Sequence, residues 1–332
     1  MKTRATFLWL LLAAGLALHA GEPKPGWFVE AALGFSSLSP ADFNARVEAQ
    51  KLRSDFFYRD YYEVLQRTSG GAFRYTLEET AGSGLRGIGR GLPVALRLGR
   101  RLGPRLAAFA GLEFLESRRT SSLEWQFRVS DLRSDQVTPG SYELEIAYPD
   151  YFLQARAWVP QAGVILDLLR RQGWRAGLRL AVGPMLAALR IVESQRYRRT
   201  DEDGYWYETR SLTDMKGRGL GLALEAAARL DLPLSGRLGL HVEAGYALRR
   251  AGSFSGPGSS EYQSRDTNAA SDLVRAQWQD EEWRTCPLEI SQPLGRLEYT
   301  LSGNDLGGYT DTRTFRLDLS GWRLAAGLRL AL

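Results

Sequence analysis

Apolar side chains alternate with small or charged ones along several stretches of this chain, at the period of two that sends successive residues to opposite faces of a strand. The pattern is clearest over 219–230. Leu220, Leu222, Leu224, Ala226, Ala228 and Leu230 share one face there, and Gly219, Gly221, Ala223, Glu225, Ala227 and Arg229 the other. It returns over 238–249, where Leu238, Leu240, Val242, Ala244, Tyr246 and Leu248 alternate with Gly239, His241, Glu243, Gly245 and Arg249. Between them, Asp231-Leu232-Pro233-Leu234-Ser235-Gly236 reads as a compact turn.

The same hairpin unit appears twice more. Leu92, Val94, Leu96 and Leu98 lead through a turn near 99–104 into Leu106, Ala108, Ala110, Leu112 and Phe114. A strand over 151–166 leads through 167–173 into Trp174, Ala176, Leu178, Leu180 and Val182, with Pro160 expected to mark a bulge or an edge-like irregularity. One strand at each end completes a set of eight: Trp27 to Phe35 first and Trp322 to Leu332 last. Short connections (99–104, 167–173, 231–237) alternate strictly with long polar ones (36–85, 117–150, 193–216, 250–314). This predicts an all-β fold, an eight-stranded antiparallel up-and-down transmembrane β-barrel with short periplasmic turns and four long extracellular loops. A soluble barrel with the opposite face inward has the same alternation. The Gly, Ala, Arg and Glu composition of the non-apolar face favours the membrane form, because it suits a narrow interior that side chains just fill.

The N-terminus modifies this picture. Lys2 and Arg4, an apolar run from Phe7 to Leu18, and Ala20 before Gly21 form a secretory signal, so residues 1–20 are expected to be cleaved and 21–332 to form the barrel. Cleavage leaves 41 bases against 38 acids, far from the excess of a nucleic-acid binder. The lone cysteine, Cys286, excludes an internal disulfide.

The chain resembles the small outer-membrane β-barrel superfamily of diderm bacteria, eight-stranded barrels grouped with the transmembrane domain of outer-membrane protein A. The resemblance rests on pattern over the mature chain and on the alternating last strand, which here ends in Leu332 where such proteins usually end in phenylalanine. It implies residence in the outer membrane, contact with its lipid and lipopolysaccharide, and recognition of the last strand by the barrel-assembly machinery.

Within the long connections, Arg196 to Glu208 reads as a hairpin tip turning at Asp203-Gly204, and 40–52 as a short helix. Ser253–Ser260 reads as a flexible Gly/Ser segment. Aromatic residues in these connections (Trp125, Trp206, Trp278, Trp283) point to a non-enzymatic structural or adhesive role on a surface ligand. A narrow solute channel is the alternative, and a lipid-modifying enzyme a distant third.

Catalytic, cofactor and metal sites are not expected. His241 is the one histidine of the mature chain, placed in the lumen beside Glu243 without a serine motif, and no ligand spacing for a metal occurs. The lumen is expected to hold an ion-pair network of Glu30, Arg97, Glu113, Arg179, Glu225, His241, Glu243 and Arg323, with Arg175, Arg229 and Arg329 nearer the periplasmic mouth. Arg118, Arg119, Arg196, Arg198, Arg199, Arg249 and Arg250 are expected at equivalent heights where strands leave the membrane, as a collar for lipopolysaccharide phosphates.

Overall fold

A computed structural model of the chain describes residues 26–40, 42, 44, 47, 67, 73–82, 84–131, 141–171, 173–268, 272–282, 284–285 and 313–332. The signal segment, Trp283 and Cys286 lie outside them. The strands are β1 Trp27–Ser37, β2 Phe73–Gly82, β3 Arg90–Arg101, β4 Leu106–Asp131, β5 Ser141–Arg171, β6 Trp174–Asp201 and β7 Trp206–Pro233. They continue as β8 Leu238–Asp266, β9 Asp272–Glu282, β10 Arg284–Thr285, β11 Arg313–Thr314, β12 Leu317–Asp318 and β13 Gly321–Ala331.

Eight of them close a ring in the order β1-β3-β4-β5-β6-β7-β8-β13, and β13 returns antiparallel to β1 through pairs such as Leu33↔Ala326. The face built from Gly, Ala, Arg and Glu points inward: Glu30, Arg97, Glu113, Arg179 and Arg323 are buried, whereas Leu220 and Trp322 on the other face are 70% exposed. A soluble barrel would not present such a surface to water. Outward positions on β7 stay apolar from Leu220 to Leu230. That run covers roughly 33 Å of strand at 3.3 Å per residue. At a tilt near 40° it gives roughly 25 Å of height, the apolar band of an outer-membrane barrel. Phe35, Trp158, Tyr246 and Trp322 are exposed toward its upper side, as an aromatic girdle requires.

Above this band the long connections are largely sheet. Strands β4 to β8 run 26, 31, 28, 28 and 29 residues and pair laterally well beyond the apolar band. With β2 on β4 and β9 on β8 they form a tall extracellular wall. The hairpin at Asp203-Gly204 turns where the sequence placed it, with Gly204 at φ +84°. Ser253–Ser260, expected to be flexible, is instead part of β8. Pairing on both sides, to β7 and β9, supplies backbone hydrogen bonds that outweigh weak strand propensity. Asp42, Asn44 and Val47 are helical as expected.

Pro160 marks an irregularity of the ladder, as expected, but not a bulge. The register with β6 is the same on either side of it, from Trp158↔Leu186 to Ala162↔Val182, so Pro160 stands opposite Pro184. Two missing N–H groups thereby interrupt the ladder at one rung.

Inside, the barrel is solid. Its lower lumen carries the ionic residues described below. Over them lies an apolar layer of Leu115, Met185, Phe254, Phe315, Leu317 and Leu319, closed by Leu38, Val47, Leu85 and Ile88 from the connections after β1 and before β3. This filled interior corrects the expectation of a narrow channel or porin-like conduit: eight strands leave space only for side chains, and side chains occupy it.

Candidate functional site

The lumen charges form a continuous alternating chain. Arg329 donates to Glu30 at 2.7 Å, which accepts from Arg229 at 2.6 Å, and Arg229 also donates to Glu243 at 2.9 Å. Glu243 faces Arg179 Nε at 3.0 Å, and Arg179 and Arg323 both donate to Glu225. Arg323 then reaches Glu113 at 2.6 Å, which accepts from Arg249 at 2.6 Å. Arg97 binds both oxygens of Glu243 (2.9 and 3.2 Å) and lies 3.5 Å from Glu30, while Asp231 holds Arg229 at 2.8 Å. The residues predicted for the lumen are therefore brought together, and two placements differ. Arg229 sits within the chain and not at the mouth, because its guanidinium is shared by Glu30, Glu243 and Asp231. Arg249, expected in the collar, is 1% exposed in the lumen on Glu113, since it shares the inward parity of His241 and Glu243.

His241 is fully buried, and neither ring nitrogen has a protein hydrogen-bond partner. Its neighbours Glu30 and Glu243 are committed to arginines, so His241 lies beside the ionic chain without joining its hydrogen bonds, a correction to its expected place in the network. The ring is accommodated by Gly327, where a Cβ would stand 2.6 Å from His241 Cε1 and 2.2 Å from the carbonyl oxygen of Ala31. His241, Glu30 and Glu243 form the one cluster of potential ligands among the described residues. Arg97 and Arg229 already neutralise both carboxylates there, which disfavours a cation.

The outer surface carries a second charged zone, where its apolar band ends. The switch falls between Leu92 and Arg90 on β3, Phe114 and Glu116 on β4, Trp158 and Arg156 on β5, Leu220 and Arg218 on β7, and Leu248 and Arg250 on β8. On β6 it runs from Leu186 through Ala188 to Arg190. Register makes these positions neighbours: Glu116↔Arg156↔Ala188↔Arg218 in one lateral row, and Arg118↔Gln154↔Arg190↔Lys216 in the next. Three carboxylates are engaged, Glu116 by Arg156 (3.0 Å), Asp214 by Arg190 (2.8 Å) and Asp318 by Arg250 (3.2 Å). Arg90, Arg118, Lys216 and Arg218 are exposed and have no carboxylate partner among the described residues.

This row rearranges the predicted collar. The β6 residue in line with Arg118 is Arg190, and Arg196, Arg198 and Arg199 lie two or more rungs further out, in the extracellular wall. There Arg196 is bonded to Glu145, Arg198 stacks 5.6 Å over Trp206, and Arg199 stacks 4.2 Å over Tyr142 while donating to Asp201 at 2.6 Å. Arg119 is exposed on the opposite face from Arg118, opposite Leu153. Only Arg118 and Arg250 of the seven lie in the outward band. The signal for the others, Arg90, Arg156, Arg190, Lys216 and Arg218, was their parity with the apolar face, which counting residues from the turns did not use.

These features define an outer-membrane β-barrel with a filled lumen. No protein-family model and no curated protein matches the chain. Among solved structures it is similar to the outer membrane protease OmpT from Escherichia coli, with 12% identity over 95% of this chain and 99% of that one and a TM-score of 0.27. This finding corrects the expectation of a non-enzymatic barrel with a structural or adhesive role through its loops: a barrel similar to this chain is an enzyme, so such a role does not follow from the architecture. The likeness concerns the fold and transfers no activity.

Proposed function

We propose that this chain is a lipopolysaccharide-engaging outer-membrane protein, whose outward basic band binds the phosphate groups of the outer leaflet. One observation carries the reading. Four bases without a carboxylate partner among the described residues, Arg90, Arg118, Lys216 and Arg218, stand on the lipid-facing surface immediately above the apolar band, among partly neutralised neighbours. Guanidinium groups pair phosphates bidentately, and at the edge of a low-dielectric layer such pairs are screened less than in open water. Arrival at this position would follow the export signal and recognition of β13 by the barrel-assembly machinery.

The test is lipopolysaccharide retention after detergent extraction. The Arg118→Ser/Lys216→Ser/Arg218→Ser variant is expected to migrate as a heat-modifiable barrel and to lose bound lipopolysaccharide. An Arg196→Ser/Arg198→Ser control, altered in the extracellular wall, is expected to keep it. Equal retention by the first variant and the parent chain would overturn the proposal.

A further inference from the structure

The opposite end of the barrel holds a different concavity. The short turns and the starts of β1 and β6 enclose a basin of about 400 Å³ at the periplasmic mouth. That volume lies within the range of small-ligand pockets. Six arginines line it, Arg101, Arg170, Arg171, Arg175, Arg237 and Arg329, against one acidic side chain, Asp231.

The arginines fall into two sets. Arg101 and Arg175 lean on the buried Asp167 at 3.0 and 3.9 Å, and Arg329 spans Glu30 at 2.7 Å and Asp231 at 3.5 Å. These contacts fix a wall and a floor. Arg170, Arg171 and Arg237 have no carboxylate partner among the described residues and are exposed around the rim. In the floor, Arg329 Nη2 is buried without an acceptor. The mouth therefore combines excess positive charge, a rigid cationic floor and an unsatisfied donor. Structural ion pairing explains the first set of arginines but not the second.

We infer that this basin is an anion site on the periplasmic side, and that its ligand is a small anion bearing several phosphate charges. Fork-shaped donors on several sides match tetrahedral oxyanions better than a single carboxylate. The phosphate can belong to a soluble solute or to a phospholipid headgroup of the inner leaflet, since both meet this end. The site is independent of the outward band, which lies on other residues at the other end.

The probe is sodium tripolyphosphate, titrated calorimetrically into the full chain refolded in zwitterionic micelles. One anion is expected to bind per chain, with affinity falling as salt is raised. The Arg170→Ser/Arg171→Ser/Arg237→Ser variant is expected to bind at least about tenfold more weakly, the loss of one or two charge-assisted contacts. The Arg118→Ser/Lys216→Ser/Arg218→Ser variant is expected to bind like the parent. Competition by phosphatidylglycerol added to the micelles would assign the site to a headgroup, and its absence to a soluble anion. No binding, or equal binding by the rim variant, would overturn the inference. Should the triple variant fail to refold, Arg237→Ser alone in the β7–β8 turn makes the same comparison.

Discussion

Replacing Glu243 by glutamine tests whether the lumen chain is a balanced structure. Glu243 is 1% exposed and serves three guanidiniums: Arg97 at 2.9 and 3.2 Å, Arg229 at 2.9 Å and Arg179 at 3.0 Å. The buried chain sets Arg97, Arg179, Arg229, Arg249, Arg323 and Arg329 against Glu30, Glu113, Glu225, Glu243 and Asp231, one positive charge in excess. Glutamine keeps the shape and one acceptor but doubles that excess. Breaking a buried pair costs about 3–5 kcal/mol because the remaining charge has no compensation. Three cations are affected here, so at least about 3 kcal/mol is expected, without simple additivity. With a slope near 2 kcal/mol per molar urea, the unfolding midpoint falls by roughly 1.5–2.5 M. The assay is tryptophan fluorescence of the chain in lipid vesicles, followed both into and out of urea. Pairing Glu243→Gln with Arg179→Met removes one charge of each sign and is expected to recover most of the loss. A single variant destabilised by less than about 1 kcal/mol, the scale of an exposed pair, would refute the reasoning.

Two further outcomes separate the membrane band from the wall above it. Leu224 projects outward between Val182 and Leu248, within the apolar band. Leu224→Arg is expected to cost about 2–4 kcal/mol by the same urea assay, and Leu212→Arg, outward on the extracellular wall, about 0–1 kcal/mol. Equal costs would mean that the band has been misplaced. In the wall, a hydrogen bond of 3.3 Å between the hydroxyls of Tyr207 and Tyr262, with burial adding to it, pushes the Tyr207 phenol up to about 12. The folded chain holds that proton more tightly than the unfolded chain does. The stabilisation is therefore complete below pH 10 and disappears as pH rises from 10 toward 12. The tyrosinate absorbance of the parent minus that of Tyr207→Phe should titrate near pH 12; an ordinary midpoint near 10 would remove the interaction.

The barrel was legible because its information is local. Parity along a strand and the alternation of short and long connections need no knowledge of what lies across the sheet, and the strands Leu220–Leu230 and Leu238–Leu248 carried both signals. What stayed hidden was lateral. Lining up Arg118 with Arg196 treats distance from a turn as height. Register links Arg118 through Gln154 to Arg190, and it also sets Pro160 opposite Pro184. The extracellular wall was concealed for a related reason. Segments such as 117–131 and 250–266 are polar on one or both faces, so they read as loops until pairing on both sides makes them strands. Trp125, one of the aromatics that the sequence places in a long connection, is 7% exposed in the interior of that wall.

The ionic chain bears directly on how such a barrel fixes its register. Neighbouring strands here have small side chains on the lumen face, such as Gly111, Gly245 and Gly327, which lock little by packing alone. Several of the ion pairs join strands that are not neighbours. Arg323 of β13 reaches Glu113 of β4 and Glu225 of β7, and Arg97 of β3 reaches Glu243 of β8. A slip of one residue in any of these strands turns its charge toward lipid and its leucines toward arginine. Moving Arg323 outward by such a slip leaves Glu113 with Arg249 alone and Glu225 with Arg179 alone, and turns Arg323 and Arg329 of the same strand toward lipid, at about 2–4 kcal/mol each near the midplane. A one-residue error in β13 is thus comparable with the whole stability of many domains, roughly 5 kcal/mol or more. The correct register is selected against its nearest competitors even where the net gain over an apolar filling is small.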